Sequence, residues 1–277
     1  VFVGNSAVLP AHAELGNNVL IGILSLPPEG RVHDGGNWFG SPPFSLPVRY
    51  VSSHFSEAQT YRPPRRIVAL RLFIEFFRVI LPSTIFVVLA ALIMTATDYL
   101  QDYIGMREWL LTLPFLYLGA GMLGIIITVA IQRLLVGRFR SGEKPFWCSF
   151  VWRNDIVTGV YQNLCDLFFL GLLRGTPFMA WALRAFGIKI GRRCYIDTTW
   201  FTEFDLVEIG DEAALNENAN LQTHLFEDRV IKMGTVRIGR RCTVGAMATV
   251  LYDTEMKEGA SLGDLSLMMK GETLPRG

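Results

Sequence analysis

One histidine stands in surroundings unlike the rest of the chain. His224 lies within NENANLQTHLFEDRVIKMGTVRIG, inside the longest interruption, Gln222 to Arg237, of an otherwise regular pattern. A free imidazole has a pKa near 6.5, so at neutral pH it can take a proton from an attacking amine. By position alone His224 reads either as a solvated loop residue or as a general base, and a base would work with a donor for developing negative charge and with proximity of the reactants. Glu227 and Asp228 follow closely enough to orient the ring, and backbone N–H groups at the corner near Gly245 and Ala246 are candidate oxyanion donors. The other histidines lack such a setting: His12 occupies a variable repeat position, and His33 and His54 fall in a linker. The four cysteines show no CxxC spacing and make no constellation with a histidine, so the expectation is reduced thiols and no metal.

The pattern that His224 interrupts has a period of six. Ile190, Ile196 and Thr202 are six apart; after one extra residue come Ile209, Leu215 and Leu221; after the insertion the series resumes at Ile238, Val244, Val250, Met256, Leu262 and Met268. Glycine follows the anchor at Gly191, Gly210, Gly239, Gly245 and Gly263, and a small residue follows it by four, as at Cys194, Ala213, Ala219, Cys242 and Ala248. Six matches neither a helix nor a simple strand; it is the period of a parallel β-helix made of short strands and tight turns. Cys194 and Cys242 take the small inward position and are therefore expected in the core rather than as nucleophiles.

The first thirty residues carry the same period, with anchors Val3, Leu9, Leu15 and Ile21. At a constant offset Val3 falls on Val244, Glu14 on Glu255, Gly22 on Gly263, Leu24-Ser25-Leu26 on Leu265-Ser266-Leu267, and Gly30 on Gly271. Residues 1–30 thus read as the end of a preceding copy of the C-terminal repeat domain. The pattern is already running at Val1, so the sequence reads as a window of a longer tandem chain.

Between the two repeat segments lie two uncharged apolar stretches, 79–97 and 109–131, each about the 20 residues that cross a bilayer as a helix. Arg62, Arg65, Arg66, Arg71 and Arg78 precede the first, and Arg133, Arg138, Arg140 and Lys144 follow the second, while the connecting loop holds Asp98, Asp102 and Glu108 against Arg107. The positive-inside rule puts both ends, and the repeat domain after them, on the cytoplasmic side of the cell membrane. Arg71, Glu75 and Arg78 share one helix face opposite Ile67, Leu70, Phe73, Ile74 and Phe77, which predicts an interfacial helix before the first span. Charges at Arg153, Asp155, Asp166, Arg174 and Arg184 interrupt 145–187, which reads as short amphipathic interfacial helices anchored by Trp147, Trp152 and Trp181. The spans hold no ionisable residue, so they anchor rather than conduct.

Composition closes off other classes. Hydrophobic residues are 51% and charged residues 18% of the 277, which excludes disorder. The balance of 26 basic against 25 acidic side chains excludes a nucleic-acid footprint.

The six-residue pattern resembles the left-handed β-helix of the hexapeptide acyltransferases. That resemblance implies a histidine base in an inserted loop, here His224, and an acceptor pocket lined by an NxN element, here Asn216 and Asn218. GNWFGSPPFSLPVR, the membrane hairpin and EIGDEAALNENANLQTHLFEDR together resemble the C-terminal region of the ε-poly-lysine synthetase type of nonribosomal peptide synthetase. The implied fold class is mixed membrane α plus all-β. It assigns 1–30 to the end of a preceding left-handed β-helix, 31–60 to a linker, 61–144 to a transmembrane hairpin with a juxtamembrane helix, 145–187 to interfacial helices, and 188–277 to a left-handed parallel β-helix.

The implied chemistry is amide formation from an aminoacyl thioester on the phosphopantetheine arm of a carrier domain. Its acceptor is the amine of a free amino acid or growing oligomer. Implied partners are the carrier and adenylation domains, the lipid bilayer, and further copies of the unit forming a trimer or pseudo-trimer. The chain has no HHxxxDG condensation motif, and Thr243 stands where many coenzyme A-dependent relatives carry a large aromatic residue, which counts against coenzyme A as the donor. The alternatives are a coenzyme A-dependent membrane acetyltransferase and a non-catalytic scaffold repeat.

Overall fold

A computed structural model describes residues 1–46 and 55–277, so His54 and part of the expected linker lie outside the described residues. The chain divides into two compact units, Val1–Ser53 and His54–Gly277.

In the first unit the parallel strands β1 (Phe2–Val3), β3 (Leu20–Ile21) and β5 (Asn37–Phe39) form a sheet in the order β1-β3-β5, and β2 (Glu14–Leu15) pairs in parallel with β4 (Arg31–Val32). β6 (Phe44–Ser45) returns antiparallel on β5. The strand-bearing unit therefore runs past the boundary expected at residue 30. Ser6, His12, Asn18 and Leu24 take left-handed backbone at six-residue intervals, so His12 is a corner residue.

The second unit opens with helices. α1 (Glu57–Thr60) precedes α2 (Arg65–Gln101), which starts behind Pro64 and runs through Pro82 without a break; α3 (Met106–Leu135) returns. At a rise of 1.5 Å per residue α2 is about 55 Å long. The interfacial helix expected before the first span is thus the first part of the same rod. Its charged face is paired within the protein: Arg71 Nη2 donates to Asp155 Oδ2 at 2.7 Å. Large apolar side chains such as Phe76, Val87, Leu92, Leu111, Phe115 and Ile126 are exposed on α2 and α3, the surface a bilayer would cover.

After β7 (Gly142–Pro145), a helix runs without interruption from Ser149 to Leu173. It comprises α4 (Ser149–Val160), a wide π-helical stretch Tyr161–Leu170, and α5 (Gly171–Leu173); α6 (Pro177–Phe186) follows. Short separate helices were expected here. The charges that argued for them are answered in place: Asp155 by Arg71 and Arg153 Nη1 by the Leu135 carbonyl at 2.8 Å. Among the described residues three helical segments, Glu57–Gln101 (α1 with α2), Met106–Leu135 and Ser149–Leu173, are thus long and apolar enough to cross a membrane. The third is held to the strand region at both ends. Phe146 N–H donates to the Arg229 carbonyl at 2.8 Å, and beyond Leu173 Arg174 Nε donates to Asp197 Oδ1 at 2.9 Å.

The remainder is a three-sided stack of parallel strands. One side is β8 (Lys189–Ile190), β10 (Val207–Ile209), β15 (Val236–Ile238), β18 (Thr254–Met256) and β21 (Thr273–Leu274). A second is β9 (Tyr195–Ile196), β11 (Ala214–Leu215), β16 (Thr243–Val244) and β19 (Ser261–Leu262); the third is β12 (Asn220–Gln222), β17 (Thr249–Leu251) and β20 (Leu267–Met268). Each side buries a column of anchors: Ile209, Ile238 and Met256; Ile196, Leu215 and Val244; Leu221, Val250 and Met268. Arg241, Met247, Asp253, Gly259, Leu265 and Gly271, each with positive φ, turn the corners at six-residue steps. Their counterparts in the first unit stand at the aligned positions from Ser6 to Gly30, and β1–β3 pair in the same register as β16–β19; β2–β4 are parallel like β18–β21 but one residue shorter in register.

Asp205 locks the end of α3 to this stack. It accepts from Arg133 Nη1 at 3.2 Å and from the Phe139 N–H at 3.0 Å, while Gln132 Nε2 donates to the Phe186 carbonyl at 3.1 Å. Asp205→Ala leaves two donors without their acceptor and is expected to lower stability by about 1–3 kcal/mol. Thermal unfolding of the detergent-solubilised protein measures it.

Candidate functional site

The insertion that carries His224 is a hairpin rather than an open loop. β13 (His224–Glu227) pairs antiparallel with β14 (Val230–Met233), and β14 pairs antiparallel with β7. Asp228 and Arg229, at φ 52 and 61, form the two-residue turn, the left-handed pair that matches strand twist. His224 therefore sits on a three-stranded sheet whose third strand comes from the segment after α3.

Its partner is Glu203. Where the repeat takes one extra residue, between Thr202 and Ile209, the chain makes a short 3-10 turn at Phe204–Leu206, and Glu203 just before it adopts φ 39, off the six-residue series of corners. Such backbone in a non-glycine residue concentrates at functional sites. The Glu203 side chain is 0% exposed and that of His224 20%. Oε2 of Glu203 lies 2.7 Å from His224 Nδ1 and accepts from Thr223 Oγ1 at 2.7 Å; Oε1 accepts from Asn154 Nδ2 of α4 at 2.8 Å. The Thr202 carbonyl lies 3.0 Å from the same Thr223 hydroxyl, a second place for its one proton, and Phe226 sets its edge against the imidazole with ring centroids 5.6 Å apart.

The electrostatics follow from burial and pairing. Burial alone would raise the Glu203 pKa, but the His224 charge, with its hydrogen bond and that of Thr223, brings it well below the usual carboxylate range. Burial pulls the His224 pKa down, yet the charge of Glu203 and its hydrogen bond, with Asp155 adding a smaller pull, bring it above 6.5. An ionised carboxylate can only accept, so Nδ1 carries the proton and Nε2 presents its lone pair. The arrangement is an imidazole held in one tautomer, basic at its free nitrogen.

Glu227, Asp228, Gly245 and Ala246 have other tasks. Glu227 does not orient His224: it bonds Lys232 at 2.9 Å and Lys270 at 2.5 Å, on the opposite strand face from the imidazole. Asp228 sits in the hairpin turn. Gly245 and Ala246 do not offer oxyanion donors, because the Gly245 N–H is bound to the Leu262 carbonyl at 2.8 Å and the Ala246 N–H to Asp264 Oδ1 at 2.7 Å. A Cβ at Gly245 would stand 2.5 Å from Asp264 N, so that glycine serves coil stacking. Asn216 ends the strand face before the corner, and Asn218 occupies it at φ 53, a conformation asparagine tolerates.

Cys242 is buried, with Sγ 2.9 Å from the Lys257 carbonyl, and Cys194 lies 3.1 Å from the Gly210 carbonyl. Burial raises both thiol pKa values, as fits core positions. Among the described residues no group of three His, Cys, Asp or Glu is arranged to hold a metal ion.

Over 99% of its length, the chain is 38% identical to the delta-poly-L-ornithine synthetase of Acinetobacter baumannii. It spans 21% of that protein's length. The resemblance to poly-amino-acid synthetases thus holds from end to end of the chain. No family model and no solved structure matches.

Proposed function

We propose, from the premise that this chain is similar throughout to a segment of a poly-amino-acid synthetase, that its second unit is an acyl-transfer site for amide formation. The observation that carries the reading is the 2.7 Å contact of His224 Nδ1 with the fully buried Glu203, which leaves Nε2 as a base. The substrates are an aminoacyl thioester on a carrier domain and the amine of a free amino acid or oligomer. The amine nitrogen attacks the thioester carbon while Nε2 takes its proton; the C–N bond forms, the C–S bond breaks, and the imidazolium returns the proton to the departing thiolate. Glu203 stabilises that imidazolium and fixes its tautomer, and Thr223 and Asn154 fix Glu203.

The three-sided stack we read as left-handed, with copies meeting as in the trimeric hexapeptide acyltransferases; the matching first unit supports a tandem array. The pH dependence of kcat/KM for amide formation from a preloaded carrier tests the base. The neutral imidazole is the active form, so the rate should fall as pH drops through a pKa above 6.5. A rate that rises toward acid contradicts the reading.

The stack is proposed to lie on the cytoplasmic side, with Ser149–Leu173 not crossing because both of its ends are bonded to it. In a background without the native cysteines, Gln101→Cys should react with an impermeant thiol reagent outside intact cells. Ser141→Cys and Lys257→Cys should not. Labelling at Lys257→Cys alone of those two would mean that the third helix crosses.

A further inference from the structure

Two buried donors near the His224–Glu203 pair have no acceptor among the described residues: Nη1 of Arg71 and Nε1 of Trp152. Trp152 is 2% exposed and the Arg71 side chain 14%. They are neighbours, because the guanidinium lies over the indole with its Cζ 5.9 Å from the ring centroid. A buried N–H without a partner costs free energy, commonly about 1–3 kcal/mol, so two of them side by side point to an acceptor that arrives from outside.

Their position ties them to the base. Trp152 and Asp155 are three apart on one face of α4, and Asn154 between them donates to Glu203 Oε1, whose other oxygen holds His224. The charges select the ligand. Arg71 Nη2 already bonds Asp155 Oδ2 and Glu75, and Arg78 bonds Glu75, so two arginines meet two carboxylates. A bare anion would leave this group with unbalanced negative charge. An amino-acid head group brings its own counter-charge: its carboxylate suits Nη1 and Nε1, and its ammonium suits Asp155, whose side chain is 29% exposed and whose Oδ1 is not used by Arg71.

We propose that Arg71 and Trp152 bind the carboxylate, and Asp155 the ammonium, of the acceptor amino acid, seating it beside His224. This rests on the acyl-transfer reading and adds to it the subsite that distinguishes an amino acid from a simple amine. The acyl-transfer step itself is unchanged.

The test uses the full-length membrane protein with its carrier preloaded, and compares L-ornithine and L-lysine as acceptors with putrescine and cadaverine, the same amines without the carboxylate. Wild type should prefer an amino acid to its diamine in kcat/KM. Trp152→Phe keeps the ring under Arg71 and removes only the N–H; it should cut that preference about 10-fold, mainly through KM. Arg71→Gln should cut it about 10- to 150-fold, the worth of a hydrogen bond to a charged group. A preference that survives either substitution, or a wild type that uses diamines as well as amino acids, overturns the subsite. Should Arg71→Gln fail to accumulate, Trp152→Phe decides alone. No amide from any acceptor overturns the acyl-transfer reading, and the subsite with it.

Discussion

Replacing His224 with alanine lowers amide formation from a loaded carrier by about 100- to 10,000-fold, the range that loss of general-base assistance gives. The fold survives the change. The hydrophobic columns that hold the stack, Leu215, Leu221, Ile238 and Val244 among them, do not depend on the imidazole. The loss should appear in kcat rather than in acceptor KM, since Nε2 acts on the proton lost in the transition state. Membrane insertion and expression, measured alongside, should match wild type.

Glu203→Gln comes next in size. The amide can still accept from Nδ1, but the charge that stabilises the imidazolium is gone, so kcat/KM should fall about 10- to 150-fold near neutral pH, the value of a charge-assisted hydrogen bond. The pH profile separates this from a merely structural loss. In the native protein Glu203 lifts the His224 pKa against burial. Without that charge the burial acts alone, the pKa drops, and the acid limb of the profile moves to lower pH. The wild-type advantage should therefore shrink as pH falls. Glu203→Ala is a different experiment: it strands His224, Thr223 and Asn154 around a buried hole, and a cost of about 3–5 kcal/mol is expected, as for a buried pair that loses one member. Chemical denaturation against Glu203→Gln measures it.

Much of this site was legible in the sequence, and the misses have physical causes. The anchors Ile196, Leu215 and Val244 could be read because each coil repeats both its backbone path and its inward side chain, so geometry is written directly as spacing. His224 was visible as a titratable side chain in a break of that spacing. Glu203 does not stand out in the sequence, because its link to His224 is made only when neighbouring coils stack. Its trace in the sequence was the single-residue slip after Thr202, which creates the 3-10 turn and the off-series left-handed residue. Glu227 is close to His224 along the chain, but strand alternation turns it the other way, onto Lys232 and Lys270. Gly245 and Ala246 read as free backbone donors because the spacing does not show that a coil's N–H groups are claimed by the next coil, here by Leu262 and Asp264. The charges of 145–187 do not break the helix for a similar reason: Arg71 and the Leu135 carbonyl, distant in sequence, answer Asp155 and Arg153.

The central claim, that His224 held by Glu203 discharges an acylated carrier onto an amine, is tested most directly by the state of the carrier itself. Intact-protein mass spectrometry follows the aminoacyl thioester after free amino acid is added to the preloaded full-length protein in membranes. In wild type the thioester mass should disappear as amide product forms, whereas in His224→Ala the carrier should load normally and then stay loaded. A carrier that discharges into product at the wild-type rate in His224→Ala would contradict the account and leave this unit as a scaffold.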